Sequence, residues 1–130
     1  MPTYGQRISK EARPYTIQLP PIDKIEIQKV SGGERIERVD NRKILLGADV
    51  QKLASLWRTQ QYNYGYSSSC HEPAYAIKFY AKDKLITYVS ICWGCRNMYP
   101  QLTGQDFVAG FNAQSAKGKQ LFLFFQKRLG

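Results

Sequence analysis

Apolar and polar residues alternate along several short stretches of the chain, which is the pattern of half-buried β-strands. Between residues 23 and 30, Ile25 and Ile27 fall on one face, and Lys24, Glu26 and Gln28 fall on the other. The turn-forming sequence Ser31-Gly32-Gly33 follows, and residues 35–39 form a weaker strand pattern. Together these segments predict a β-hairpin in the first third of the chain.

Two stretches follow the helical period instead. Leu46, Val50, Leu53 and Trp57 are apolar residues at i, i+4, i+7 and i+11. This spacing predicts an amphipathic helix over about residues 48–59. A second helix is expected near the C-terminal end, where Ser115 is a good N-cap. Its apolar positions are Leu121, Phe122, Phe125 and Leu129.

A second hairpin is predicted in the middle of the chain. Residues 75–81 and 85–91 are rich in aromatic and β-branched side chains, and the polar turn Lys82-Asp83-Lys84 separates them. If Ala81 pairs with Leu85, the register places Phe79 opposite Thr87, Ile77 opposite Val89 and Tyr75 opposite Ile91.

The order of these elements predicts a two-layer α+β domain over residues 22–130, with an antiparallel sheet and helices packed on one of its faces. Residues 1–21 are polar and interrupted by prolines, so we expect an extended arm there with an edge strand around residues 15–19. Residues 60–69 and 96–106 are expected to be loops, and residues 107–111 a further strand.

The most distinctive feature is a cluster of soft ligands. All three cysteines and the single histidine lie between positions 70 and 95, as Cys70-His71 and Cys92-Trp93-Gly94-Cys95. When the hairpin register is carried past the strands, His71 lies opposite Cys95, and a slip of one residue places Cys70 there instead. In either register both ends of the cluster meet at the open end of the hairpin.

A structural role is the first interpretation of this cluster, because free cysteine is among the most buried residue types and a histidine beside it is commonly hydrogen-bonded. The role would be a disulfide, either Cys70–Cys95 or Cys92–Cys95, or buried thiols in a reducing compartment. It requires no cofactor. The alternative is a zinc site with Cys70, His71, Cys92 and Cys95 as ligands, since a C-x2-C pair commonly supplies half of a tetrahedral zinc site.

Catalytic interpretations of the cluster have less support. A thioredoxin-like dithiol needs a helix after the C-x2-C motif, and residues 96–104 contain Pro100 and do not have a helical pattern. Covalent haem attachment needs histidine after the second cysteine, where this chain has Arg96. A nucleophilic Cys95–His71 pair would need Glu72 or Asp106 as the orienting acid. An enzyme is therefore the less favoured class.

Charge and aromatic residues indicate a binding protein. The 130 residues carry 19 Lys and Arg against 10 Asp and Glu, a formal net charge of +9, spread along the chain without a dense basic run. Candidates for contact with a partner are Tyr62, Tyr64, Tyr66, Trp93 and Arg96. They would suit single-stranded nucleic acid or a protein surface, and the absence of a basic run favours a protein, one of acidic character.

The sequence contains no apolar run of membrane-spanning length. The compartment stays open: the chain as written fits the cytoplasm, and removal of a signal peptide would place it outside. Oligomeric state is likewise open.

Two motifs carry a resemblance. Cys70-His71-Glu72-Pro73-x-Tyr75-Ala76-x-x-Phe79-Tyr80, followed by Cys92-Trp93-Gly94-Cys95-x-Asn97, resembles a pattern in small uncharacterised bacterial proteins. It covers about a third of the chain and implies a bacterial source but no activity. The sequence therefore predicts a small non-enzymatic binding module, and an inhibitor or immunity-type protein against an acidic partner would suit its size and charge.

Overall fold

The computed structural model describes residues 15–63, 70–102 and 109–130. In these ranges the helices are α1 (Tyr15–Gln18), α2 (Ala48–Arg58) and α3 (Ala116–Leu129). The strands are β1 (Lys24–Gly32), β2 (Ile36–Leu45), β3 (Tyr62–Asn63), β4 (Tyr75–Ala81), β5 (Lys84–Cys92), β6 (Asn97–Pro100) and β7 (Ala109–Phe111). All strands join one antiparallel sheet in the order β2-β1-β4-β5-β6-β7-β3. The predicted α+β class is confirmed.

The predicted hairpin is formed by β4 and β5 in the expected register. Tyr75 pairs with Ile91, Ile77 with Val89 and Phe79 with Thr87. The turn is shorter than predicted, because Ala81 pairs with Lys84 and not with Leu85. Lys82 and Asp83 both have positive φ, 50° and 64°, as a two-residue hairpin turn with right-handed strand twist requires. A register shift after Phe79 leaves Ile86 as an extra residue and restores the predicted pairing.

Both long helices lie close to where the sequence predicts them. Helix α2 ends at Arg58, and Thr59 follows as its C-cap. Leu46 is wrong as a member of the buried stripe, because it precedes the helix and is 65% exposed. In α3 the Ser115 Oγ accepts a hydrogen bond from the Gly118 N–H (3.0 Å), which confirms the predicted cap. Its buried apolar residues are Leu121, Phe124, Phe125 and Leu129, whereas Phe122 is only partly buried.

The helices contact the same side of the central strands. The ring of Trp57 in α2 lies 5.2 Å from that of Phe79, and Phe125 in α3 stacks on Tyr75 at 5.1 Å. Since alternate residues of a strand share a face, both contacts fall on one face of β4. The fully buried Ile25, Ile27 and Ile77 continue this core.

Several expectations about local structure are wrong. The residues expected to form an edge strand contain the short helix α1, and Ile17 in it is fully buried. The expected loop after Arg96 contains β6, and the loop after Gln60 contains β3. Strands as short as β3 and β6 show no usable alternation, because their conformation comes from pairing with β7 and β5 and not from their own sequence.

Candidate functional site

The two ends of the cysteine cluster are joined covalently. Cys70 precedes β4, Cys95 lies in the turn between β5 and β6, and a disulfide links them with a Cα–Cα distance of 5.8 Å. Arg96 closes that turn with a φ of 57°, and its N–H donates to the Trp93 carbonyl (3.2 Å). Of the two disulfides left open by the sequence, the structure contains Cys70–Cys95, at the open end of the hairpin.

The third cysteine remains a thiol beside this disulfide. Cys92 ends β5, is 4% exposed, and its Sγ accepts a hydrogen bond from the Cys95 N–H (3.1 Å). Cys95 is almost as buried, at 6% exposure, whereas Cys70 is exposed. Of the three cysteines, Cys70 is therefore exposed, and Cys92 and Cys95 are buried.

His71 is buried on the other face of the sheet from the helices. Its Nδ1 lies 2.6 Å from Asn97 Oδ1 and its Nε2 lies 2.7 Å from Ser90 Oγ. Since Asn97 Nδ2 donates to the Cys70 carbonyl (2.8 Å), Oδ1 is the atom that faces the imidazole and accepts from it. His71 therefore carries its proton on Nδ1 and accepts the Ser90 hydroxyl on Nε2.

Burial sets the charge of this histidine. It lowers the pKa of His71 below its usual 6.5, although the hydrogen bond that His71 donates to Asn97 and the charge of Glu34 act in the opposite direction. The imidazole also stacks on the Tyr99 ring with centroids 4.1 Å apart. A neutral, fully hydrogen-bonded imidazole is the structural role that the sequence analysis put first.

Ser90 is the centre of the network and is fully buried. Besides His71, its Oγ contacts the Tyr99 carbonyl (3.4 Å) and accepts from Gln101 Nε2 (3.0 Å). Gln101 also accepts from the Ile36 N–H (3.1 Å) and donates to the Glu34 carbonyl (2.7 Å). The tip of the β1–β2 hairpin is thereby fixed to the network.

Sequence reasoning missed Ser90, Asn97 and Tyr99 as partners of His71, and Gln101 as a partner of Ser90. Asn97 had a signal as the last residue of the C-x2-C-x-N motif. Ser90 could have been suspected because it alternates with Val89 and Ile91 and so points away from the apolar face. Contacts to Gln101 depend on how the β1–β2 hairpin folds over the sheet, which no local pattern encodes.

The order Ser90–His71–Asn97 resembles a nucleophile, a base and an orienting group. Ser90 and Asn97 have no exposed surface, however, and the Ser90 hydroxyl already contacts three groups. Among the described residues, these contacts enclose the Ser90 hydroxyl and join β5, β6 and the segment before β4.

Zinc binding by the four expected ligands would require another form of the protein. Cys70 and Cys95 are bonded to each other, and both nitrogen atoms of His71 are hydrogen-bonded to protein groups. The zinc hypothesis therefore concerns a reduced protein in which Cys70 and Cys95 are thiolates and His71 has turned.

The expected partner residues occupy separate places. Tyr62 and Arg96 line one cavity of about 380 Å³, and Trp93 lines another of about 420 Å³. Trp93 is largely a packing residue: its indole N–H donates to the Gly118 carbonyl (2.9 Å), and its ring contacts Phe111. Tyr64 and Tyr66 lie outside the described residues.

A larger groove lies between α2 and α3, with a volume of about 480 Å³. Its apolar lining comes from Leu56, Leu123 and Phe124. Its polar and charged lining comes from Lys52, Ser55, Lys117, Gln120, Lys127 and Arg128. Sequence reasoning did not select this surface, because the lysines come from two helices that are more than fifty positions apart.

Comparison with protein families, with curated proteins and with solved structures gives no match. The helices within residues 15–63, 70–102 and 109–130 do not have the length and hydropathy of a membrane-spanning helix.

Proposed function

We propose that this protein is a small non-enzymatic binding module that holds an acidic, amphipathic segment of a partner protein on α2 and α3. The observation that carries the proposal is the composition of the groove between these helices. It combines an apolar floor with four cationic side chains, and none of the described residues that line it is acidic.

The binding surface continues past the groove. Leu123 is 46% exposed and lines both the groove and the neighbouring cavity of Trp93. That cavity adds Phe122 and Lys119. The two cavities thus form one strip, called here the helix-face strip, in which an exposed leucine lies between lysines. Exposed apolar side chains with a charged rim are typical of protein-binding surfaces.

Arg128 is a fixed part of the strip. Its guanidinium lies 3.6 Å from the centre of the Phe124 ring, bonds the Phe124 carbonyl (3.2 Å) and pairs with Asp49 (3.4 Å). Because the arginine is held by its own protein, the lysines are the residues available to meet a partner's carboxylates.

The charge and shape of the groove between α2 and α3 indicate which kind of partner it binds. A second copy of the chain would bring another net charge of +9 to the surface, which disfavours self-association. A lipid surface is flat and does not fill a groove, and phosphate backbones gain nothing from the exposed Leu123. A helix with acidic flanks and a leucine-like anchor satisfies both the apolar floor and the lysines.

The cysteine and histidine cluster serves as a scaffold in this proposal. An inhibitor or immunity-type role is a narrower form of the same idea, in which binding also blocks the activity of the partner. The disulfide favours an oxidising, extracytoplasmic compartment, where such bonds persist.

Anisotropy of a fluorescent helical peptide tests the proposal. The peptide carries leucines at i, i+3, i+4 and i+7 with flanking glutamates, and a scrambled peptide of the same composition is its control. We expect the double variant Lys52→Glu/Lys127→Glu to weaken binding of the amphipathic peptide by about tenfold or more, because like charges then face its glutamates.

The matched control is Lys43→Glu/Lys84→Glu, whose exposed lysines line neither cavity. Each reversal removes two units of charge, so both double variants fall from a net charge of +9 to +5. Equal weakening by the two double variants, or equal binding of the scrambled peptide, would refute a specific site on the helices.

A further inference from the structure

Three cysteines lie together at the turn between β5 and β6, one of them exposed and two of them buried. Cys70 is exposed, Cys95 is bonded to it and buried, and the Cys92 thiol is buried with its sulfur against the Cys95 backbone. A thiol close to a disulfide can take part in thiol–disulfide exchange, in which a thiolate attacks one sulfur of the bond and displaces the other.

We propose that Cys92 makes this disulfide exchangeable and that Cys70 is the sulfur released at the surface. The Cys92 thiol gives its proton to solvent, and the thiolate attacks Cys95 Sγ. A Cys92–Cys95 bond forms as the Cys70–Cys95 bond breaks, and the bonding pair leaves on Cys70 Sγ, which takes up a proton. One disulfide and one thiol remain, so no external oxidant or reductant is needed.

The geometry favours attack on Cys95 over attack on Cys70. Cys92 Sγ is hydrogen-bonded to the amide of Cys95 itself, and only Trp93 and Gly94 separate the two residues. The departing sulfur then belongs to the exposed residue Cys70, where nearby water can stabilise the leaving thiolate. The turn also has room to change, because no atom outside the adjoining residues lies within 4 Å of a methyl group built on Gly94.

The exchange would convert a long-range link into a local one. The present bond joins residues 25 positions apart and ties the segment before β4 to the β5–β6 turn, whereas the product closes only the C-x2-C turn. Cys70 would become a surface thiol next to His71. Its reaction partners are disulfides, such as an oxidised low-molecular-weight thiol or an exposed disulfide of another protein.

Alkylation under native conditions tests the proposal. The oxidised protein is incubated with iodoacetamide without reductant, and peptide mass spectrometry locates both the label and the disulfide. We expect label on Cys70 together with a Cys92–Cys95 bond. The labelling rate should rise with pH, because the thiolate is the nucleophile.

The Cys92→Ala variant is the matched control, since it keeps the Cys70–Cys95 bond and lacks the attacking thiol. It should acquire no label on Cys70. Label confined to Cys92 in the wild type, or no label while the denatured protein reacts, would overturn the proposal. Equal labelling of Cys70 in wild type and variant would also overturn it, because the bond would then open without Cys92. A rate independent of protein concentration separates internal exchange from exchange between molecules.

Discussion

His71 shows how burial on the second face of the sheet fixes the protonation of a single residue. Its Nδ1–H donates to Asn97 and its Nε2 accepts from Ser90, so the neutral ring satisfies both nitrogen atoms without a counter-ion. A proton added to Nε2 would force Ser90 to turn its hydroxyl toward the more distant Tyr99 carbonyl (3.4 Å). The folded protein therefore disfavours imidazolium.

This preference makes the stability of the fold depend on pH. Because the pKa of His71 is lowered in the folded state, the unfolded chain binds the proton first as the pH falls below about 6.5. We expect the free energy of unfolding to decrease from pH 7.5 toward pH 5.5, and the decrease to level off once the pH passes below the folded pKa. Urea unfolding at fixed pH steps measures it.

His71→Gln is the control for that pH dependence. We expect the variant to be less stable at pH 7.5 by about 1–3 kcal/mol, because glutamine only partly replaces the hydrogen bonds of His71. Because glutamine does not titrate, the free energy of unfolding should lose the contribution of His71 to its decrease at low pH. An unchanged slope would show that other groups cause the pH dependence.

At the scale of one element, the start of α3 depends on a glycine for reasons of space. Gly118 lies in the first turn, its N–H caps onto Ser115, and its carbonyl accepts the Trp93 indole. A methyl group added there would lie 2.6 Å from the Asn112 carbonyl oxygen and 2.9 Å from that of Ala113. Neither backbone oxygen can move without disturbing the loop that leads into the helix.

We therefore expect Gly118→Ala to destabilise the protein by about 2 kcal/mol, although alanine favours an open helix by about 1 kcal/mol over glycine. Thermal and urea unfolding give the difference. Gly94→Ala is the matched control, because its added methyl group meets open space, and we expect it to change stability by less than about 0.5 kcal/mol. A stabilised Gly118→Ala protein would show that the loop before α3 adapts.

The middle hairpin and helix α2 were predicted closely, whereas β2 continues to Leu45, past the predicted residues 35–39. The period-2 pattern of β4 and β5 gave their register from Tyr75 to Phe79, and the helical stripe gave α2 within one residue at its C-terminal end. Strand β6 was missed because its four residues include Pro100 and gain their conformation from pairing with β5. The buried Glu26 and Gln28 in β1 were expected on an open face, and the Tyr88 hydroxyl that bonds Gln28 (2.6 Å) belongs to a strand sixty positions away.

For the whole molecule, the disulfide joins the segment before β4 to the turn between β5 and β6. It restrains the chain ahead of β4 by joining residues 25 positions apart. Closing a loop of this size reduces the entropy of the unfolded chain and contributes about 3 kcal/mol to stability.

We expect the double variant Cys70→Ala/Cys92→Ala to be less stable than Cys92→Ala alone by about 3 kcal/mol. The Cys92→Ala background is needed because Cys92 could otherwise form a substitute bond with Cys95. Urea unfolding without reductant measures the difference, and reduced Cys92→Ala should match the double variant. A difference in the free energy of unfolding below about 0.5 kcal/mol would show that the disulfide does not stabilise the fold.

The sequence by itself determined the α+β class, the central hairpin and the nearness of Cys70 to Cys95, because the hydrophobic period and hairpin pairing are local properties. Tertiary structure decided which sulfurs bond, that His71 is neutral and enclosed by Ser90 and Asn97, and that lysines from α2 and α3 border one groove. These features depend on residues that are far apart in the sequence, and the distances between them are set only when the sheet and the helices pack together.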